Sequence, residues 1–195
     1  MWLIPSRRPH NLSRLADAWG STPAWVRLDS DDPMLGGYPD HPNWIVCVGP
    51  RKPLCGVYEE AFEAYPDLDW YGFLADDVLP EGNWESLIET AGRDGLAFGD
   101  DGINGEKHAA HFVLGGDLVR EIGFLCLPGL SRLYIDTVWC DIARARGVYR
   151  YRPDVRMPHL HFSNGRAPMD ATYRKPQRDA DRALYEAWRN QEKTE

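Results

Sequence analysis

Trp70-Tyr71-Gly72-Phe73-Leu74-Ala75-Asp76-Asp77-Val78-Leu79-Pro80 runs from apolar residues straight into two adjacent carboxylates, then turns at Pro80 and Gly82. A short apolar run bounded by turn residues reads as a buried strand, and open α/β sheets bind their ligands in the crevice outside the carboxyl ends of such strands. Asp76 and Asp77 are therefore expected at an edge facing a crevice. Two carboxylates this close hold a hard divalent cation or perturb each other's ionisation. An Asp-Asp pair on its own would be a solvated turn, so its weight depends on the rest of the chain.

Working outward, Trp2 to Ile4 is apolar and stops at Pro5, after which Leu12, Leu15, Ala16 and Trp19 recur at helical spacing behind Asn11 as a cap. Trp25 to Leu28 makes a second strand, ending in the acidic turn from Asp29 to Pro33, and Trp44 to Val48 a third, ending at Gly49-Pro50-Arg51-Lys52. Residues 57–65 and 84–91 read as helices on either side of the Asp76-Asp77 strand. Strands alternating with helices imply a mainly parallel sheet with right-handed crossovers. The pattern then loosens into a turn-rich loop at 100–105, a strand at 111–114, a helix at 117–122, an amphipathic helix at 135–146 closed by Gly147, a strand at 155–161 and a terminal helix at 180–190.

The 195 residues are long enough for one domain with a substantial core, and 43% hydrophobic residues with eight tryptophans agree with a globular protein. A net charge of −8 argues against general polyanion binding, although residues 144–182 are rich in arginine and offer one basic side. No run approaches the roughly 18 apolar residues of a membrane span, and Met1 to Pro5 is too short and too soon polar for a signal peptide. A cytoplasmic protein is expected. Cys47, Cys55, Cys126 and Cys140 lack zinc-knuckle spacing and read as reduced core residues.

Each early strand ends in polar or charged residues: Ser6, Arg7 and Arg8 after the first, Asp29 after the second, Arg51 and Lys52 after the third, Asp76 and Asp77 after the fourth. Side by side, these ends offer acids for a base or metal and cations for phosphate, a sensible nucleotide site. His159 and His161, two apart on an expected strand, face the same way and suit a transition metal together with a carboxylate. Asp136 begins the helix at 135–146, where the helix N-terminus favours its ionised form. An Asp there is either a cap or, in an aromatic-lined pocket, a general base.

The order of strand, Pro5-Ser6-Arg7, Asp29, Asp76-Asp77, Gly115-Gly116 and Ile135-Asp136 followed by Arg144-Ala145-Arg146-Gly147 resembles the GT-A-fold glycosyltransferases, particularly family 2. Asp76-Asp77 resembles their Asp-x-Asp metal motif, with Leu74 where its first Asp would stand. Ile135-Asp136 resembles the Glu-Asp pair whose Asp is the catalytic base, with Ile in place of Glu. His159 and His161 both resemble the fold's C-terminal metal ligand.

The resemblance spans residues 2 to 162. It implies a single-domain α/β protein with a GT-A-like (Rossmann-like), mainly parallel sheet and flanking helices. Residues 1–162 would form the catalytic domain, and 163–195 a C-terminal tail whose terminal helix packs on it. It implies transfer of a sugar from a nucleotide sugar, a UDP-sugar first among candidates, to an acceptor hydroxyl. Asp136 would be the base; Pro5, Ser6, Arg7, Asp29, Arg51, Lys52 and Asp76 would hold the donor. Mn²⁺ or Mg²⁺ would sit among Asp76, Asp77, His159 and His161. Inversion follows if Asp136 is the base, retention if it only positions groups. Glycan, protein, small molecule and modified nucleic-acid base are all open as acceptor. The rivals are a nucleotidyltransferase, for which Pro5 to Pro9 is a poor Gly-rich loop, and a binding module that kept the fold without catalysis.

Overall fold

The structure is a computed structural model that describes residues 1–169 and 178–192. Residues 170–177 and 193–195 of the expected tail lie outside that description. Its strands are β1 (Trp2–Ser6), β2 (Ala24–Asp29), β3 (Trp44–Gly49), β4 (Trp70–Phe73), β5 (Leu96–Asp100), β6 (Phe112–Gly115) and β7 (Tyr149–Arg156). The helices are α1 (Pro9–Ala18), α2 (Leu54–Ala64), α3 (Ser86–Ala91), α4 (Gly116–Ile122), α5 (Ile135–Ala145) and α6 (Arg178–Glu192). The strands form one sheet in the order β3-β2-β1-β4-β6-β5-β7, all pairings parallel except those of β6 with β4 and β5.

Strand alternation divides the core into two layers. Leu3, Trp25, Tyr71, Phe73, Phe98 and Phe112 face α2, α4 and α5, where Tyr58, Val119 and Trp139 meet them. Trp2, Ile4, Val26 and Val113 face the other way, onto Leu12 and Leu15 of α1 and Leu87 of α3. Each large side chain buried in full contributes about 1.5–3 kcal/mol, and most of those named are under 3% exposed. Gly72 is required by this packing: a Cβ there would stand 2.3 Å from the indole of Trp2 on the neighbouring strand.

Parallel register aligns the strand ends. Ser6 pairs with Leu28 and Asp29 with Gly49, so β1, β2 and β3 finish on one edge, and β4 delivers Asp76 and Asp77 three and four residues beyond its end at Phe73.

Two expectations fail in the far half of the sheet. β5 was not anticipated, because Leu96-Ala-Phe-Gly-Asp100 is short and half composed of residues with weak strand preference. The strand expected at 155–161 lies earlier, at Tyr149–Arg156, and the histidines follow it in irregular backbone. Its polar, Pro153-containing sequence disguised it, since Pro is tolerated on an edge strand, and β7 is the edge. No helix among the described residues is long and apolar enough to cross a membrane.

Candidate active site

Pro5, Ser6, Arg7, Asp29, Arg51, Lys52 and Asp76 all line one cavity of about 850 Å³ over the ends of β1, β2 and β3. A second, of about 250 Å³, is lined by Asp77, His111, Tyr134, Asp136, His159 and His161. The two adjoin, sharing Arg8, Leu54, Tyr58, Ala75 and Arg132. Arg8 belongs to the polar end expected after β1, whereas Arg132 carries no signal in the sequence beyond its position just ahead of Asp136.

In the larger cavity Arg7 and Lys52 are already engaged. Arg7 Nη1 donates to Asp29 Oδ2 and Asp31 Oδ1, each at 2.7 Å, and both contacts push the guanidinium pKa up. Lys52 Nζ lies 2.9 Å from Glu60 Oε2. Beneath them the buried Arg27 donates to the carbonyls of Gly49 and Pro50, at 3.1 and 2.8 Å, tying β2 to the turn that carries Arg51 and Lys52.

Asp76 and Asp77, each 3% exposed, have different surroundings. Asp76 accepts from Ser6 Oγ at 2.6 Å and from Arg8, and burial pushes its pKa up despite those partners. Asp77 Oδ1 faces His159 Nε2 at 3.2 Å, and its Oδ2 lies 3.0 Å from Arg8 Nη2. Burial pushes the Asp77 carboxyl up, but His159, with Arg8 and His111 behind it, outweighs burial and holds it well below the usual carboxylate range. His111 Nδ1 accepts from Ala75 N–H at 3.4 Å, and its Nε2 lies 3.4 Å from His159 Nδ1. Burial, then the neighbouring His159, lowers the His111 pKa to about 3 and keeps it neutral. His161 turns its Nδ1 to Ser163 Oγ at 2.7 Å, with its ring centre 5.0 Å from that of His159.

Among the described residues no three His, Cys, Asp or Glu side chains are arranged to hold an ion by themselves. Asp77 and His159 form a two-donor set of carboxylate and imidazole on one wall. That set fits a cation whose remaining positions are filled by substrate phosphates, the habit of Mg²⁺ and its relatives at nucleotide sites.

Asp136 stands in the first turn of α5. Its Oδ1 accepts from Thr137 N–H at 2.8 Å and its Oδ2 contacts His108 Nε2 at 2.8 Å. Ahead of it the chain passes through Tyr134, at φ 68° the one non-glycine with positive φ among the described residues. That approach is clamped from α6: the Asp181 carboxylate, 2% exposed, accepts from the N–H groups of Ser131, Arg132 and Leu133 at 2.8, 3.0 and 2.8 Å. Tyr185 stacks on Tyr134 with ring centres 4.9 Å apart and donates to Asp141 at 2.6 Å. His108 and Asp181 carry no motif in the sequence and were missed.

No family model and no curated protein matches the sequence. Among solved structures the chain is similar to the mannosyltransferase PcManGT from Pyrobaculum calidifontis in complex with GDP-Man and Mn²⁺, with TM-score 0.61 at 11% identity over 81% of this chain and 55% of that one. It is also similar to a putative glucose-1-phosphate thymidylyltransferase from Bacillus anthracis in complex with a sucrose, with TM-score 0.51 at 11% identity over 81% of this chain and 87% of that one. This chain thus spans about half the length of the mannosyltransferase. At such identity the likeness is one of fold, and that fold is the GT-A-like, Rossmann-like sheet.

Proposed function

We propose that the protein is a glycosyltransferase moving a sugar from a nucleotide-diphosphate sugar to an acceptor hydroxyl. The supporting observation is the junction of the two cavities at Arg8 and Arg132, where a large cavity rimmed by cations opens into a small one that presents Asp136. In this reading the nucleotide lies along the ends of β1 to β3, with Asp29 toward base or ribose and Arg7, Arg51 and Lys52 toward the phosphates. Residues 1–162 supply this machinery, and α6 braces it.

The sugar reaches past Asp76 into the smaller cavity. Asp136 takes the acceptor's hydroxyl proton as the acceptor oxygen bonds to the anomeric carbon. The bond from that carbon to the diphosphate oxygen breaks, and its electron pair leaves with the nucleoside diphosphate. Attack opposite the leaving group inverts the anomeric centre. Arg8 and Arg132 stand where charge grows on the departing diphosphate, and fixed cations aimed at developing charge lower a barrier more than they bind a ground state. Asp77 and His159 would hold a divalent cation, Mn²⁺ or Mg²⁺, which when bound supplies Lewis-acid stabilisation of the same charge.

A donor screen tests this: UDP-, GDP- and dTDP-sugars with Mn²⁺ or Mg²⁺, read as nucleoside diphosphate released. The span of 87% of the thymidylyltransferase motivates a parallel arm with nucleoside triphosphates and sugar phosphates, read as pyrophosphate. Nucleoside diphosphate from a nucleotide sugar supports the proposal. Pyrophosphate alone makes the protein a nucleotidyltransferase, and binding without turnover in either arm makes it a binding module.

A further inference from the structure

Asp136 shares the wall of the smaller cavity with a histidine held as firmly as itself. His108 follows the turn at Gly105–Lys107 and sets Nε2 at 2.8 Å from Asp136 Oδ2, while its Nδ1 lies 3.8 Å from Cys140 Sγ, one turn further along α5. The backbone on both sides of it is pinned. Arg144 Nη2 donates to the Lys107 carbonyl at 2.5 Å and to the Tyr149 hydroxyl at 2.9 Å; that hydroxyl donates to the Glu106 carbonyl at 3.3 Å. Ala109 N–H donates to Cys140 Sγ at 3.4 Å. α5 and β7 thus fix where the imidazole stands, and it stands on the carboxylate.

Taking Asp136 as the base, we propose that His108 is its positioning residue, holding the carboxylate ionised and turned so that its remaining lone pairs meet the acceptor hydroxyl. A carboxylate offers about four lone-pair directions. His108 uses one on Oδ2, and the N–H and hydroxyl of Thr137 approach Oδ1 at 2.8 and 3.3 Å. The Asp136 side chain is 37% exposed, so the hydroxyl has room to reach it.

His108 is a cation in direct contact with Asp136, while Arg8, Arg132, His159 and His161 line the same cavity as Asp136. Tyr58 of α2 and His111 face Asp136, and Cys140, Arg144 and Tyr149 flank His108 from α5 and β7. Burial raises both tyrosines and lowers His111, keeping all three neutral, and Arg144 is turned onto the Tyr149 ring 4.2 Å away. Hydrogen bonding to Asp136, then to Cys140, pushes the His108 pKa up to about 10. Burial pushes the Asp136 carboxyl up, but His108 and Thr137 outweigh it and hold it below the usual carboxylate range.

The test uses the whole chain in two arms. First, NMR titration of the imidazoles: His108 in the parent protein should stay protonated at pH 8, and in Asp136→Asn should titrate near the ordinary pKa of about 6.5. An imidazole already neutral at pH 8 in the parent overturns the inference, whether or not any His108 variant folds. Second, kcat/KM against pH for His108→Gln: loss of an adjacent cation should move the acid limb up by roughly 1–3 pH units, with donor KM unchanged. An unmoved limb overturns the inference while leaving Asp136 as base. If Asp136→Asn keeps full turnover, the base assignment fails instead, a result neither titration outcome can mimic.

Discussion

The two halves of the site are held by different means. Over β1 to β3 the residues stand at strand tips, and parallel register, Ser6 beside Leu28 and Asp29 beside Gly49, sets them in a row, with Arg27 tying the β3 turn to β2. Over the far half they stand in irregular segments or, like Asp136, in the first turn of a helix that such a segment leads into, and side chains that cap backbone fix those segments. Asp181 gathers three N–H groups ahead of Asp136, Asp101 Oδ1 accepts from the N–H groups of Ile103 and Asn104, and His159 N–H reaches the Asp101 carbonyl at 3.0 Å. A site half built on register can be changed at one tip without disturbing the next. A half built on caps transmits each loss to its neighbours, so the same substitution costs more there.

The sharpest way to break that contrast is at Asp136. Asn keeps the size and much of the capping ability but cannot accept a proton. A general base is worth about 10²–10⁴ in rate, and a cap only about 1 kcal/mol of stability. Asp136→Asn should therefore lower kcat by that factor with donor affinity nearly unchanged, while melting temperature falls only by what the lost His108 ion pair and the weaker cap contributed. Turnover at the parent's rate under saturating substrates would return Asp136 to the role of helix cap.

Asp181 measures the cap-built half itself. Asp181→Ala leaves three N–H groups without their acceptor, and a buried unsatisfied donor costs about 1–3 kcal/mol, so a loss of about 3 kcal/mol by denaturant titration is expected. The activity loss should exceed what the unfolded fraction explains, because the same segment carries Arg132 and Tyr134 to the cavities. A stable Asp181→Ala with full activity would mean that α6 is an appendage.

Asp77 tests the seam between the halves. Losing a residue that only supports a metal ligand costs about 10–100-fold, so Asp77→Ala should raise the Mn²⁺ concentration needed for half-maximal turnover by at least about a hundredfold. Excess chelator should silence the parent. Activity that persists in chelator removes the cation from the proposed mechanism and leaves the charge to Arg8 and Arg132.

The contrast also explains what was legible in the sequence. β1 to β4 could be read because each is an apolar run stopped by a turn, and β1, β2 and β4 are buried almost throughout, as central strands covered on both faces are. Asp76-Asp77 and Ile135-Asp136 stood out because an acid after apolar residues breaks a pattern. β5 and β7 break none: one is too short and small, and the other is an arginine- and tyrosine-rich edge with a proline. His108 and Asp181 were illegible for a different reason, since each acts on a residue 28 or about 50 positions away and nothing local marks that partnership. The unequal fates of Asp76 and Asp77 likewise depend on Arg8 and His159, which the fold brings to them.

The smallest effect is expected in the register-built half. Arg7 is bound to Asp29 and Asp31 before any nucleotide arrives, and its side chain is 28% exposed. Turning it toward phosphate exchanges one set of ionic contacts for another, so the net gain is modest: Arg7→Ala should weaken nucleotide-diphosphate binding by roughly tenfold, about 1.4 kcal/mol, by calorimetry at low salt. Because the contact is between partly exposed charges, the loss should shrink as salt is raised from about 0.02 M to 0.5 M, where the screening length falls well below 10 Å. Asp29→Asn in the same background tells apart the two duties of Asp29. If Asp29 serves only to hold Arg7, the second substitution adds nothing. If it also accepts from base or ribose, as proposed, the losses multiply, because the ribose contact does not depend on Arg7. A tenfold loss for Arg7→Ala that ignores salt would mean that Arg7 shapes the cavity wall rather than meeting the phosphates. Binding unchanged in both variants would move the nucleotide off the β1 to β3 edge altogether.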